Sequence, residues 1–167
     1  VFGFRVEQKG GGAPDVAADR QVYTGLRVVG GELEKGRGRD WAIVQLDRDV
    51  DPSVGQPVAA IRREPVRKGL GVYVIGYPSG LPMKYAPGAE VRDTNPAYYV
   101  ANLDTYGGNS GSGVYESGTN ALAGILVRGE NDYVEDQQNR CRRSNVCPTT
   151  GCRGEDVTNL SIVRFPQ

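Results

Sequence analysis

The stretch Gly107-Gly108-Asn109-Ser110-Gly111-Ser112-Gly113 sets Ser110 among small residues shortly after the β-prone run Tyr98-Tyr99-Val100-Ala101-Asn102-Leu103. Glycines on both sides of the serine open backbone conformations closed to other residues and let main-chain N–H groups come close to a ligand. Such a loop suits a nucleophile, with the amides of Gly108 and Ser110 as candidate donors to a developing oxyanion. The same composition also describes an ordinary glycine-rich connection between two strands. Context has to separate the two readings.

That context is Arg39-Asp40-Trp41-Ala42-Ile43-Val44-Gln45-Leu46, where an aspartate opens an apolar run of strand length. With aspartate preceding serine in this way, the chain resembles the trypsin-like serine peptidases, and more closely the bacterial glutamyl-endopeptidase-like branch. In that branch the nucleophile sits in Gly-Asn-Ser-Gly-Ser and the orienting aspartate starts a segment like Asp-Trp-Ala-Ile-Val. The strand-like runs Val74-Ile75-Gly76-Tyr77-Pro78 and Ala123-Gly124-Ile125-Leu126-Val127 extend the likeness over most of the chain. The resemblance implies an all-β, two-barrel fold, a peptide or protein substrate, an acyl-enzyme at Ser110, and Asp40 as the residue that orients the base. No cofactor is expected, and no metal, since Cys141, Cys147 and Cys152 lack a close Cys-x-x-Cys pair and a histidine to complete a zinc site.

The base itself is missing, because none of the 167 residues is histidine. Acyl transfer by a serine needs a group that accepts a proton near neutrality, and imidazole is the usual one. In the trypsin-like order histidine comes first, then aspartate, then serine. The expectation is therefore an upstream segment carrying the histidine, with the 167 residues inactive alone. The alternative is a scaffold that has lost its base and binds peptides or proteins without cleaving them.

Composition narrows the remaining classes. Twenty basic and twenty acidic side chains cancel, so no global field draws the protein to nucleic acid or to an anionic membrane surface. The basic run Arg140-Cys141-Arg142-Arg143 is flanked by Glu135, Asp136, Glu155 and Asp156 and lacks neighbouring aromatic platforms for bases. It reads as solvated loop charge. No apolar run approaches the length of a membrane span. Cys141, Cys147 and Cys152 fall in one short polar stretch, where a disulfide would stabilise a loop lacking its own core and would imply an extracellular or periplasmic setting. The odd count leaves one thiol over, and sequence does not assign the pairing.

Twenty-four glycines, ten prolines and short β-prone runs predict strands joined by turns, with no long helix. Residues 1–167 read as a single domain, with 1–56 as a partial N-terminal barrel and 57–167 as a C-terminal barrel. Val1–Val6 reads as a strand, and Gly10–Pro14 as a loop. The alternation of Val22, Thr24, Leu26 and Val28 predicts a strand with one buried face. Pro52 and Pro57 mark the connection between barrels. Further strands are expected at 71–76, around Glu90-Val91, at 98–103, 113–115 and 122–127, with a hairpin turn at 116–120.

Two details bear on substrate. Asp104 stands six residues before Ser110, the spacing at which trypsin-like enzymes place the carboxylate of the primary specificity pocket, which implies cleavage after arginine or lysine. Asp104 also reads as an aspartate accepting backbone hydrogen bonds near a turn. In the family, a run like Leu126-Val127-Arg128-Gly129 pairs with the substrate backbone, and Arg128 there would meet an acidic subsite or reach solvent. Asn109 stands where activated zymogens carry an aspartate that pairs with a new N-terminus, and its neutral amide departs from that pattern.

Overall fold

The valine- and tyrosine-rich runs of the second half close on one another. In the computed structural model, which describes residues 2–3, 22–36, 38–51 and 58–166, the strands are β1 (Phe2–Gly3), β2 (Val22–Tyr23), β3 (Gly25–Leu33), β4 (Asp40–Leu46), β5 (Gly71–Gly76) and β6 (Lys84–Thr94). They continue as β7 (Tyr98–Ala101), β8 (Gly113–Glu116), β9 (Leu122–Arg128), β10 (Tyr133–Asp136), β11 (Cys141–Ser144) and β12 (Glu155–Asn159). β5 to β9 and β12 form a closed antiparallel barrel in the order β12-β7-β6-β5-β8-β9. Closure leaves these strands no free edge. Among the described residues no helix is long and apolar enough to cross a membrane.

β-Branched and aromatic side chains dominate these strands because they pack well on a pleated, buried surface. Val72, Val74, Val91, Tyr99, Ala101, Val114, Leu126 and Val157 meet in the barrel interior. β6 runs much further than the Glu90-Val91 centre read from sequence. It does so through a bulge: Val74 pairs with Ala86 but Val72 with Ala89, and Gly88 takes a positive φ of 83°. The extra residue bends the strand around the barrel wall. Residues 116–120 form the expected turn between β8 and β9, closed by Glu116 N–H to Ala121 O at 2.9 Å.

Before the barrel, β1 pairs with β2, and β3 with β4, as two-stranded sheets. The strand expected at Val1–Val6 is described only at Phe2–Gly3, while Gly10–Pro14 and the Pro52 to Pro57 connection lie outside the described residues. The buried face expected from Val22, Thr24, Leu26 and Val28 does not form, since Leu26 is 61 % and Val28 64 % exposed. The cause is register. β3 shifts against β4 between Gly25 and Arg27 and again between Val28 and Gly30, and each inserted residue moves the following side chains to the other face. β4 supplies the burial instead: Trp41 packs with Leu160 and Val163 and against Ile43, Leu122 and Ile125, seating the β3–β4 ribbon on the barrel.

The polar cysteine-bearing stretch gains structure that its sequence does not advertise. β10 and β11 form a hairpin, with Arg142 paired to Glu135 at 3.2 Å and Arg143 to Asp136 at 3.9 Å. Thus the basic run is locally compensated. Cys147 and Cys152 form the disulfide, and Cys141 is free and exposed.

Gly124, on β9, is a point of close packing in the barrel wall. A Cβ there would stand 2.5 Å from Val157 Cγ1 and 2.7 Å from Thr158 O, and backbone cannot yield as a flexible side chain does. Gly124→Ala is expected to destabilise the protein by about 1–3 kcal/mol, read as a lowered urea midpoint with an unchanged slope.

Candidate active site

The serine loop runs from the end of β7 to the start of β8 and is pinned at both sides. Ser79 N–H donates to Gly107 O at 2.7 Å, Asn109 N–H to Tyr106 O at 3.2 Å, and Gly111 N–H to Leu126 O at 2.7 Å. Leu126 N–H returns a bond to Ser112 O at 2.9 Å. Gly108 and Gly111 adopt φ values of 96° and 91°, which disfavour any residue with a Cβ. Among the described residues the amides of Gly108 and Ser110 have no acceptor within the protein. These are the two donors singled out from sequence.

Ser110 is exposed, and its hydroxyl rests 3.4 Å from Val127 O. That carbonyl faces the loop because of a second bulge: Asp156 pairs with Arg128 but Val157 pairs with Leu126, so Val127 is the extra residue on β9. Bulges next to functional sites commonly re-aim a group in this way. Asn109 is buried against Gly76, and its Oδ1 has no hydrogen-bond partner.

Beside Ser110 opens a cleft of about 120 Å³, walled by Gly107, Asn109, Leu126, Arg128 and Gly129 and by three acidic residues, Glu130, Asp132 and Glu155. Asp104 is exposed and lines a neighbouring, wider depression of about 440 Å³, with the Cys147–Cys152 disulfide on its rim. It does not line the cleft at Ser110. Glu155 borders both spaces, and sequence reading had used it only as a flank of the basic run. Nothing local marks it: the register of β12 against β7 and β9 brings it back to the serine loop.

Arg128 neither waits for an acidic subsite nor reaches freely into solvent. Its guanidinium donates to Gly36 O and, at 3.0 Å, to Gly38 O. It also lies 3.5 Å from the carboxylate of Asp156, which is fully buried and is held by Arg153 at 2.5 Å. The turn that leads into Asp40 is thereby tied to the end of β9. Thr158 on β12 makes a second tie, donating its hydroxyl to Asp40 O at 2.7 Å. Asp40 lines a shallow hollow on the β3–β4 ribbon and not the Ser110 cleft, so no described side chain links the two as an imidazole would.

Electrostatics single out Glu155. Burial raises its pKa from 4.5 to about 7 and the neighbouring Asp132 carboxylate pushes the same way, while hydrogen bonds at Glu130 and Thr105 and the charge of Arg153 pull it down. Asp132 is itself oriented by the Gly107 amide, 2.7 Å from its Oδ2.

A closed antiparallel barrel that presents a Gly-Asn-Ser-Gly serine between two strands, beside a cleft, is the architecture of the serine-protease barrels. Residues 6–125 match the trypsin-like peptidase domain, and the chain belongs to that family. Among solved structures it is similar to Rv3671c from M. tuberculosis H37Rv. Against the inactive form of a serine-to-alanine mutant the TM-score is 0.51 at 16% identity, covering 83% of this chain and 60% of that one. Against the active form of the Rv3671c protease the TM-score is 0.50 at 18% identity, covering 78% and 53%. The chain thus spans about 60% of the length of the first of these relatives, and the likeness shows the fold. No curated protein matches by sequence.

The raised pKa has a consequence for stability. Below the unfolded value of 4.5 both states hold the proton; as pH climbs through about 7 the folded state must ionise a half-buried carboxyl, and stability is lost. Glu155→Gln should therefore gain on the parent protein as pH rises from 5 to 8, seen as a growing difference between their urea midpoints.

Proposed function

We propose that Ser110 is the nucleophile of a serine endopeptidase, and that its general base is a histidine contributed from outside these 167 residues. The observation that carries this reading is the exposed Ser110 hydroxyl on a pinned loop whose Gly108 and Ser110 amides are the ones left without acceptors. Two free amides beside a nucleophile suit a tetrahedral intermediate, whose oxyanion they stabilise more than the ground-state carbonyl.

In the proposed reaction the base takes the Ser110 proton as Oγ attacks the scissile carbonyl. The negative charge collects on the carbonyl oxygen, the protonated base returns its proton to the leaving amine, and water then hydrolyses the acyl-serine by the same route. Asp40 holds the imidazole in the needed tautomer. The ties from Arg128 and Thr158 to the segment around Asp40 support that role, since they fix it against the same strand pair that flanks Ser110. Leu126, Val127, Arg128 and Gly129 are proposed to border the substrate backbone, entering as an extended strand. The Cys147–Cys152 disulfide supports an extracellular or periplasmic setting.

The absence of histidine favours a second reading, a peptide-binding scaffold without turnover. A diphenyl phosphonate reacting with the nucleophile separates the two. Joined to the polypeptide encoded upstream of Val1, the chain should be labelled at Ser110, and Ser110→Ala should abolish labelling. Without that segment the rate should fall by about 10²–10⁴, the contribution of a positioned base. Equal labelling with and without it rules out the proposed base, and peptide association with no labelling in the joined protein identifies the scaffold.

A further inference from the structure

The geometry points to Glu155, backed by Asp132, as the group that selects the side chain entering the Ser110 cleft, and to a guanidinium or ammonium as the side chain selected. This rests on the reading of the cleft as the substrate site beside Ser110, and it moves selection of a basic side chain from Asp104 to a different pair of carboxylates.

Three observations converge. First, the cleft is shaped around this carboxylate: a Cβ at Gly129 would stand 1.6 Å from Glu155 Oε2, so the absence of a side chain there is what admits Glu155 to the wall. Second, the nearby cations are engaged elsewhere. Arg128 and Arg153 both pair with Asp156, and Arg128 also serves the Gly36 and Gly38 carbonyls. Third, Asp132 is fixed on the Gly107 amide, on the serine loop itself. A carboxylate pair bordering a small cleft gains most from an incoming cation that makes charge-assisted hydrogen bonds.

The groups around Glu155 make this selection pH-dependent in one direction. The β9–β10 connection presents Asp132 and Glu130, and the serine loop presents Tyr106 and, across the wider depression, Asp104. Arg153 precedes β12, and Arg128 ends β9. Arg92 on β6 is turned to the Cys152 and Arg153 carbonyls, and Ala101, opposite Glu155 on β7, carries no charge. Because Glu155 titrates at about 7, its ionised share rises roughly tenfold between pH 6 and pH 8, and the apparent affinity for a cation follows the competent fraction.

Benzamidine, a planar cation, is the probe, and its binding to the 167-residue chain is measured by calorimetry and by shifts of the Gly107, Ser110 and Gly129 amide resonances. The expected result is binding about tenfold tighter at pH 8 than at pH 6, with shifts confined to the cleft. Glu155→Gln is expected to weaken binding and flatten the pH profile, while Asp104→Asn leaves both in place. The inference is overturned by no binding, by a flat or inverted profile in the unaltered chain, by equal affinity for neutral benzamide, or by a loss on Asp104→Asn with Glu155→Gln unaffected. The unaltered chain's profile needs no variant, so a folding defect in Glu155→Gln does not obscure the answer. Phosphonate labelling of Ser110 in the joined protein is read separately. Labelling without Glu155-dependent binding removes this inference alone, and Glu155-dependent binding without labelling removes the peptidase reading alone.

Discussion

The hydrogen-bonded pairing of β9 with β8 on one side and β12 on the other is the constraint on which the rest of the site depends. It closes the barrel, and it also distributes the functional groups. Leu126 exchanges bonds with both ends of the Gly111-Ser112 step, the bulged Val127 turns its carbonyl to Ser110, and Arg128 reaches back to Gly36 and Gly38. From the neighbouring strand, Thr158 holds the Asp40 carbonyl. One pair of strands therefore sets the position of the serine, of the segment entering Asp40, and of the cleft wall. A shift of register there would move all three together.

What the sequence made legible follows the range of the physical signal. The serine loop could be read because its backbone demands are local: glycine at the positive-φ positions Gly108 and Gly111, and small residues where chain segments approach closely. Strands β5, β8 and β9 could be read because valine, isoleucine and tyrosine mark buried pleated surface. The reading of Val22 to Val28 failed because alternation predicts a face only while register is unbroken, and two shifts in β3 break it. β12 was not foreseen at all. Its run Glu155-Asp156-Val157-Thr158-Asn159 is more polar than apolar, and its burial comes from closing the barrel, a long-range event with no local trace.

The same distinction explains why Asp104 was chosen from sequence and Glu155 was not. Spacing from Ser110 along the chain is visible in a sequence, whereas the way back from β12 to the serine loop passes through two sheet registers. Asp104 keeps its expected separation from Ser110 in sequence but faces the wider depression. Sequence offers Arg128 an acidic subsite or solvent; the structure gives it the carbonyl and carboxylate partners that a rigid, planar donor satisfies well.

Adjacent acidic residues on β12 carry opposite tasks, and the pleat accounts for that. Successive side chains of a strand point to opposite faces. Asp156 shares the face of Thr158, toward the segment that enters Asp40, where it is fully buried and compensated by Arg128 and Arg153. Glu155 turns to the cleft, where burial, and after it the Asp132 charge, raises its pKa. The compensation of one carboxylate limits that of the other: a buried charge stripped of its partners is costly, so both arginines are held by Asp156, and the charge of Arg153, though felt at Glu155, does not offset burial and Asp132. The acidity of the cleft is thus a by-product of how the barrel wall satisfies its own buried charge. Neutralising Asp156 would release the arginines toward Glu155, loosen the turn before Asp40, and alter cleft and scaffold in a single step.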